Sequence, residues 1–177
     1  MRKMRKKSLT FYMMCIVVLL FQIPTTMVQA TQSTYVEAYW TYTPTIESAK
    51  YAGNKWFLST TEVGNWVGDI VGTSNEIGRV VVHECDYGEL PFCLVNTGFW
   101  FVKGRAYFTG QVCEKSGTFV LQFVGKRASD TSNWYGQWVI LSGTGELATL
   151  HGQGDWWGPP GVFPPFDVYV SGNIHFE

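Results

Sequence analysis

Beyond residue 30, apolar and polar side chains alternate with a period of two along much of the chain. In GFWFVKGRAYFTG, Gly98 to Gly110, one face carries Trp100, Val102, Ala106 and Phe108 while the other carries Lys103, Arg105 and Tyr107. In GTFVLQFVG, Gly117 to Gly125, the residues Phe119, Leu121 and Phe123 oppose Thr118 and Gln122. Strands with one buried face produce this alternation, because successive side chains on a strand point to opposite sides. Five more runs read as strands because they are rich in β-branched and aromatic residues: Thr34 to Thr43, Lys55 to Val63, Gly78 to Cys85, Asn133 to Leu141 and Val168 to Phe176. Gly, Asn, Asp and Ser separate them, as turns require. The pattern predicts an all-β chain: a single closed or nearly closed antiparallel barrel of about eight strands. Only PTIESAKYA, Pro44 to Ala52, reads as a short helix or turn near 44–52.

Glycines recur inside the strand patterns at Gly68, Gly72, Gly104, Gly125 and Gly136. They weaken a flat sheet and permit the coiling that barrel closure demands, which favours a barrel over a sandwich. In SGTGELATLHGQG, Ser142 to Gly154, Gly143 and Gly145 suit a tight turn with positive φ, and Leu147 and Leu150 are apolar anchors. The segment lacks GxGxxG and the lysine of a phosphate-binding loop, so the turn is structural. The stretch GDWWGPPGVFPPF, residues 154–166, follows it as a loop insertion. Its two Pro-Pro pairs stiffen it into extended arms, so Trp156, Trp157 and Phe163 form a rigid cap at one barrel end. That cap either covers a ligand or plugs the barrel.

The start of the chain changes the compartment. Arg2, Lys3, Arg5, Lys6 and Lys7 precede an apolar run from Leu9 to Ile23, and Val28-Gln29-Ala30 supplies small residues for cleavage. This is the layout of a signal peptide over residues 1–30. The apolar run is short beside the roughly 20 residues a spanning helix needs. The expected mature domain is residues 31–177, secreted or otherwise extracytoplasmic, touching a membrane only through the leader if it is uncleaved. The full chain has 13 basic and 14 acidic residues. Removing the five basic residues of the leader leaves eight against 14, a net charge of −6. The eight are scattered, so no basic patch exists to track a phosphate backbone, and nucleic acid is not expected as a partner.

Of the four cysteines, Cys15 leaves with the leader. Cys85 and Cys93 flank the turn-like DYGELPF and are the expected disulfide, with Cys113 a strand further on. Neither CxxC nor HxxxH spacing occurs, so no metal site and no cofactor are expected. His83 and Glu84 are neighbours on a strand and face opposite sides; His151 and His175 read as surface or rim residues. No GxSxG elbow surrounds Ser142. A carboxylate at Glu37, Glu62, Asp69 or Glu84 could point inward, where desolvation makes a single charge strong.

The succession Phe108-Thr109-Gly110, then GTFVLQFVG, then GQWVILSGTGELATLHGQG (Gly136 to Gly154) resembles the domain of unknown function 3224 family. That family comprises uncharacterised prokaryotic proteins expected to share the allene oxide cyclase barrel. The resemblance is specific from Gly98 to Gly154 and looser over Thr61 to Asn75. It implies a fold; no catalytic motif of the cyclases has a counterpart here. The leading expectation is therefore a non-enzymatic exported barrel binding a small apolar or amphipathic molecule, with Trp156, Trp157, Phe163, Trp100 and Trp138 as ligand contacts. A cyclase-type isomerase and a cell-surface carbohydrate-binding or structural module remain the alternatives. A homo-oligomer stays open, since no face identifies one.

Overall fold

The computed structural model describes residues 32–83, 99–128, 133–159 and 165–177. The leader, Glu84, the Cys85 and Cys93 pair and Phe163 lie outside the described residues. Eight strands follow in chain order: β1 (Thr34–Tyr51), β2 (Lys55–Gly68), β3 (Ile70–His83), β4 (Trp100–Val112), β5 (Lys115–Arg127), β6 (Trp134–Gly145), β7 (Leu150–Gly158) and β8 (Phe166–Phe176). Each pairs antiparallel with its successor, and β8 pairs with β1, which closes the barrel. Eight strands enclose an interior just wide enough for side chains or one small ligand. The expected alternation holds: Trp100, Ala106, Phe108, Phe119, Leu121 and Phe123 are buried, while Phe101, Tyr107 and Val124 face out.

Two segments differ from the expectation. Residues 44–51 continue β1 instead of forming a helix, because Tyr42 to Tyr51 pairs with Gly64 to Trp56 on β2, interrupted by one irregularity between Ile46 and Ser48. A ladder offered by an adjacent strand outweighs a helical pattern of two turns, which is too short to be stable alone. The hairpin closes through Gly53 and Asn54, with φ values of 59° and 60°. Positive φ at both central residues is the two-residue turn matched to strand twist.

The second difference concerns the tryptophan pair. Asp155 to Gly158 belongs to β7, where Trp156 pairs with Gly136 on β6 and Val170 on β8. Adjacent residues on a strand face opposite sides, so Trp156 turns into the barrel and Trp157 turns out. The two indoles therefore do not form a shared cap; residues 160–164, the rest of the expected loop, lie outside the described residues.

The glycines have a function beyond coiling: large inward side chains lie across them. Trp40 covers Gly64, Phe123 covers Gly104, Phe108 covers Gly72 and Gly110, and Trp138 covers Gly154 and Gly172. A Cβ at any of these positions would collide with the ring above it. The Trp138 indole N–H, laid flat in this way, donates to the carbonyls of Asp155 and Ser171, both at 3.2 Å.

One end of the barrel is solid. Phe108 and Phe119 stack with centroids 4.3 Å apart, and Val36, Val112, Leu147, Leu150 and Ile174 complete the layer, each no more than 2 % exposed. Leu147 reaches it from the turn between β6 and β7, where Gly145 has φ of 66° and the Glu146 carboxylate accepts the Ser116 N–H at 2.8 Å. The glycine turn is structural, as its sequence suggests.

Candidate functional site: a polar pair in an aromatic cavity

Above the solid layer the interior opens into a cavity of about 290 Å³. Its walls are rich in aromatic rings: Trp40 and Tyr42 from β1, Trp66 from β2, Trp100 from β4, Trp134 and Trp138 from β6 and Trp156 from β7. Trp40 and Tyr42 stack with centroids 4.0 Å apart and planes 7° from parallel.

Thr60, Glu62, Ser74, Glu76 and Arg127 are the buried polar side chains among the described residues, and all except Ser74 line this cavity. The concentration follows from register. Glu62 on β2 sits directly opposite Glu76 on β3, and both occupy inward positions, in phase with Leu58, Thr60 and Trp66 on one strand and Val80 and Val82 on the other. Each carboxyl has one hydroxyl donor two residues away on its own strand. Thr60 donates to Glu62 Oε1 at 3.0 Å, and Ser74 donates to Glu76 Oε1 at 3.1 Å while accepting the Trp66 indole N–H at 2.9 Å. Among the described residues the second oxygen of Glu76, Oε2, has no hydrogen-bond partner, and neither do the indole nitrogens of Trp40 and Trp100. Across the cavity the Arg127 guanidinium lies over the rings of Trp100 and Trp134, 4.6 and 5.2 Å from their centroids.

Burial dominates the electrostatics. It raises Glu62 from near 4.5 to about 6, against the opposing hydrogen bond from Thr60. Glu76 is pushed well above the usual carboxylate range by burial first and by the negative charge of Glu62 second. The Tyr42 phenol is raised by burial, with both glutamates adding to the effect. For Glu62 the folded state thus favours the neutral form. Its contribution to stability is complete below about pH 4.5 and is lost as pH rises through about 6. A shift of about 1.5 pH units corresponds to about 2 kcal/mol at about 1.4 kcal/mol per unit. Glu76 acts in the same direction. We expect the melting temperature of the wild type, relative to Glu62→Gln, to fall by roughly 4–8 °C between pH 4.5 and 7 by calorimetry. Parallel pH profiles for the two proteins would contradict this assignment.

Of the residues singled out in the sequence, Trp100, Trp138 and Trp156 line the cavity. Trp156 is fixed by its N–H bond to the Val124 carbonyl at 3.1 Å. Trp157 stands outside, 45 % exposed, against Tyr169. Glu62 points inward. Glu37 and Asp69 lie on the exterior, where Glu37 accepts the Tyr169 hydroxyl and Asp69 accepts the Glu37 N–H at 2.9 Å. The histidines avoid the cavity: His151 stacks on His175 beside Glu177, and His83 packs against Phe99 and Phe101. Cys113 is an exposed free thiol at the β4–β5 turn. Burial, Asp69 and Glu114 push its pKa upward, which disfavours the reactive thiolate.

Glu76, Arg127, Tyr42 and Trp40 escaped the sequence reading. A signal for two of them was present. Ser74, Glu76, Gly78, Val80 and Val82 share one parity, as do Phe119, Leu121, Phe123, Gly125 and Arg127. Extending either alternation by one or two steps places a charge inside.

Comparison with known proteins agrees with this architecture. A family described as Protein of unknown function (DUF3224) matches residues 64–157. A crystal structure of a protein with unknown function from the DUF3224 family of Shewanella oneidensis MR-1 is similar to this chain, with a TM-score of 0.56 and 17 % identity. The similarity covers 82 % of this chain and 99 % of that one. No curated protein matches the chain.

Proposed function

Because the chain belongs to the DUF3224 family, whose description names no activity, we propose a function from its own interior: the barrel binds a small molecule with an apolar body and an oxygen acceptor. The observation that carries this reading is an aromatic cavity of about 290 Å³ whose lining includes Trp40 and Trp100, two residues whose buried indole N–H groups have no acceptor among the described residues. A buried donor without an acceptor costs about 1–3 kcal/mol. A ligand oxygen relieves that cost, while the rings bury its hydrocarbon part at about 25 cal/mol per Å². Phe119 fills the closed end, whereas Phe123 and Trp138 only line the cavity, so the lumen keeps room for a guest. Export is part of the same proposal and is supported by the basic, then apolar, pattern of residues 1–30.

A carbohydrate platform has less support, since Trp157 is the only tryptophan among the exposed large apolar residues described. Acetophenone is a suitable probe, combining a ring with one carbonyl oxygen. Titration calorimetry is expected to detect binding to the wild type and roughly 5- to 10-fold weaker binding to Trp40→Phe, which keeps an aromatic ring but loses the N–H. Absence of heat with the wild type, together with an unchanged melting temperature at saturating ketone, would sink the proposal.

A further inference from the structure

Binding explains the unpartnered indoles but not a pair of carboxyl groups placed face to face. Directly opposed residues on one face of an antiparallel pair have Cβ atoms about 4.5–5.5 Å apart, and like charges there repel. In an apolar cavity, burial and the charge of a neighbouring carboxylate both disfavour a second ionisation, so the pair retains a proton.

The hydrogen bonds assign that proton. Ser74 accepts from Trp66 and therefore spends its own hydrogen on Glu76 Oε1. Glu76 Oε2 is left without a partner among the described residues, buried, on a residue 2 % exposed that lines the cavity. A proton at Oε2 makes Glu76 a neutral acid with an O–H that lacks an acceptor. The Trp40 indole nitrogen lies over Gly64, between the inward positions of Glu62 and Trp66 on β2 and opposite Ser74 on β3. Its N–H is a second donor on the same wall. Glu62, with one hydroxyl donor and the negative charge of the pair, occupies the inward position opposite Glu76 and next to Gly64 on β2. Arg127 supplies one positive charge to the cavity, so one carboxylate and one guanidinium leave it neutral. Tyr42 is the remaining titratable group lining it.

We propose that this cavity isomerises an enolisable unsaturated ketone by proton transfer, with Glu62 as the base and Glu76 as the acid that holds the carbonyl oxygen. The proposal rests on the binding reading above. Glu62 takes a proton from the carbon α to the carbonyl, and the C–H electron pair becomes the new carbon–carbon π bond. The carbonyl π pair moves to oxygen, where the O–H of Glu76 and the N–H of Trp40 stabilise the developing charge. Glu62 then returns its proton to the γ carbon: the β,γ π pair forms the new C–H bond, the π pair between the carbonyl carbon and Cα shifts to Cα–Cβ, and the pair on oxygen re-forms the carbonyl. A β,γ-unsaturated ketone becomes its α,β-conjugated isomer, and no oxidant, reductant or co-substrate enters the balance. Opposed carboxyls whose surroundings divide them into a base and an acid are suited to such a step, and the value of about 6 for Glu62 suits a base working near neutral pH.

Cyclohex-3-en-1-one is a probe small enough for the cavity, and its conjugated product is followed by ultraviolet absorption. Calorimetry with the same ketone measures binding separately. The expected result is wild-type conversion faster than in buffer alone. Glu62→Gln should lose at least about 100-fold of that acceleration, the lower bound for a positioned base, while binding within about 3-fold of wild type. Glu62→Asp, which keeps the carboxylate but draws it back, should retain an intermediate rate. Binding without acceleration, or an undiminished rate in Glu62→Gln, would overturn the isomerase and leave the binding barrel standing. A wild type that fails to bind the ketone at all would overturn both.

Discussion

Phe108→Ala is expected to destabilise the protein by about 3–5 kcal/mol, read as a lower urea midpoint at unchanged slope. Phe108 is 1 % exposed, stacks on Phe119 and meets Trp66 edge-on with centroids 6.1 Å apart. Relaxation usually softens such a truncation, because neighbouring side chains move into the void. Here the wall beneath the ring is Gly72 and Gly110, which have no side chains to move. The void should therefore persist and the cost should fall in the upper part of the range. Ile77→Ala, on the outer face at 59 % exposure, is the matched control and should change stability by less than about 0.5 kcal/mol. A loss below about 1 kcal/mol for Phe108→Ala would mean that the closed end is not packed as described.

Gly125→Ala is expected to cost about 2–3 kcal/mol. The added Cβ would meet the Trp156 indole, whose Cη2 atom lies 2.6 Å from its position. Gly136, the cross-strand partner of Gly125, receives the other side of the same indole. To admit a methyl group the ring must leave its seat, losing roughly 1.5–3 kcal/mol of burial and the bond to the Val124 carbonyl, worth about 1 kcal/mol. A double-mutant cycle isolates this cause. In a Trp156→Ala background, Gly125→Ala should cost much less than in the wild type, with an interaction energy of about 1–3 kcal/mol. Equal costs in the two backgrounds would instead assign the glycine to the backbone, whose Tyr135 carbonyl lies 2.9 Å from the added Cβ.

The places where sequence reading stopped short share a cause. The strand β7 was hidden because Gly152 and Gly154 break its alternation, and a glycine has no polarity to register. Those glycines serve residues on other strands: Trp138 on β6 and Ile174 on β8 occupy the space they leave. Residues 44–51 had a weak pattern of their own and took their conformation from β2. Trp156 and Trp157 read as a pair because they are adjacent, and the two-residue period of a strand separates them. Glu62 was among several candidate carboxylates. Nothing local distinguished it from Glu37 or Asp69, which the register places on the exterior.

Local alternation, turn residues and the burial preference of aromatic side chains were enough to determine an all-β chain, most of its strands and the inward face of β4 and β5. Each of these depends on a residue and its neighbours two or four positions away. The pairing of Glu62 with Glu76, the arrival of Arg127 across the cavity and the boundary between solid and open interior were decided by tertiary structure alone. They depend on the register between strands and on closure of β8 against β1, which bring together residues that the chain itself keeps far apart.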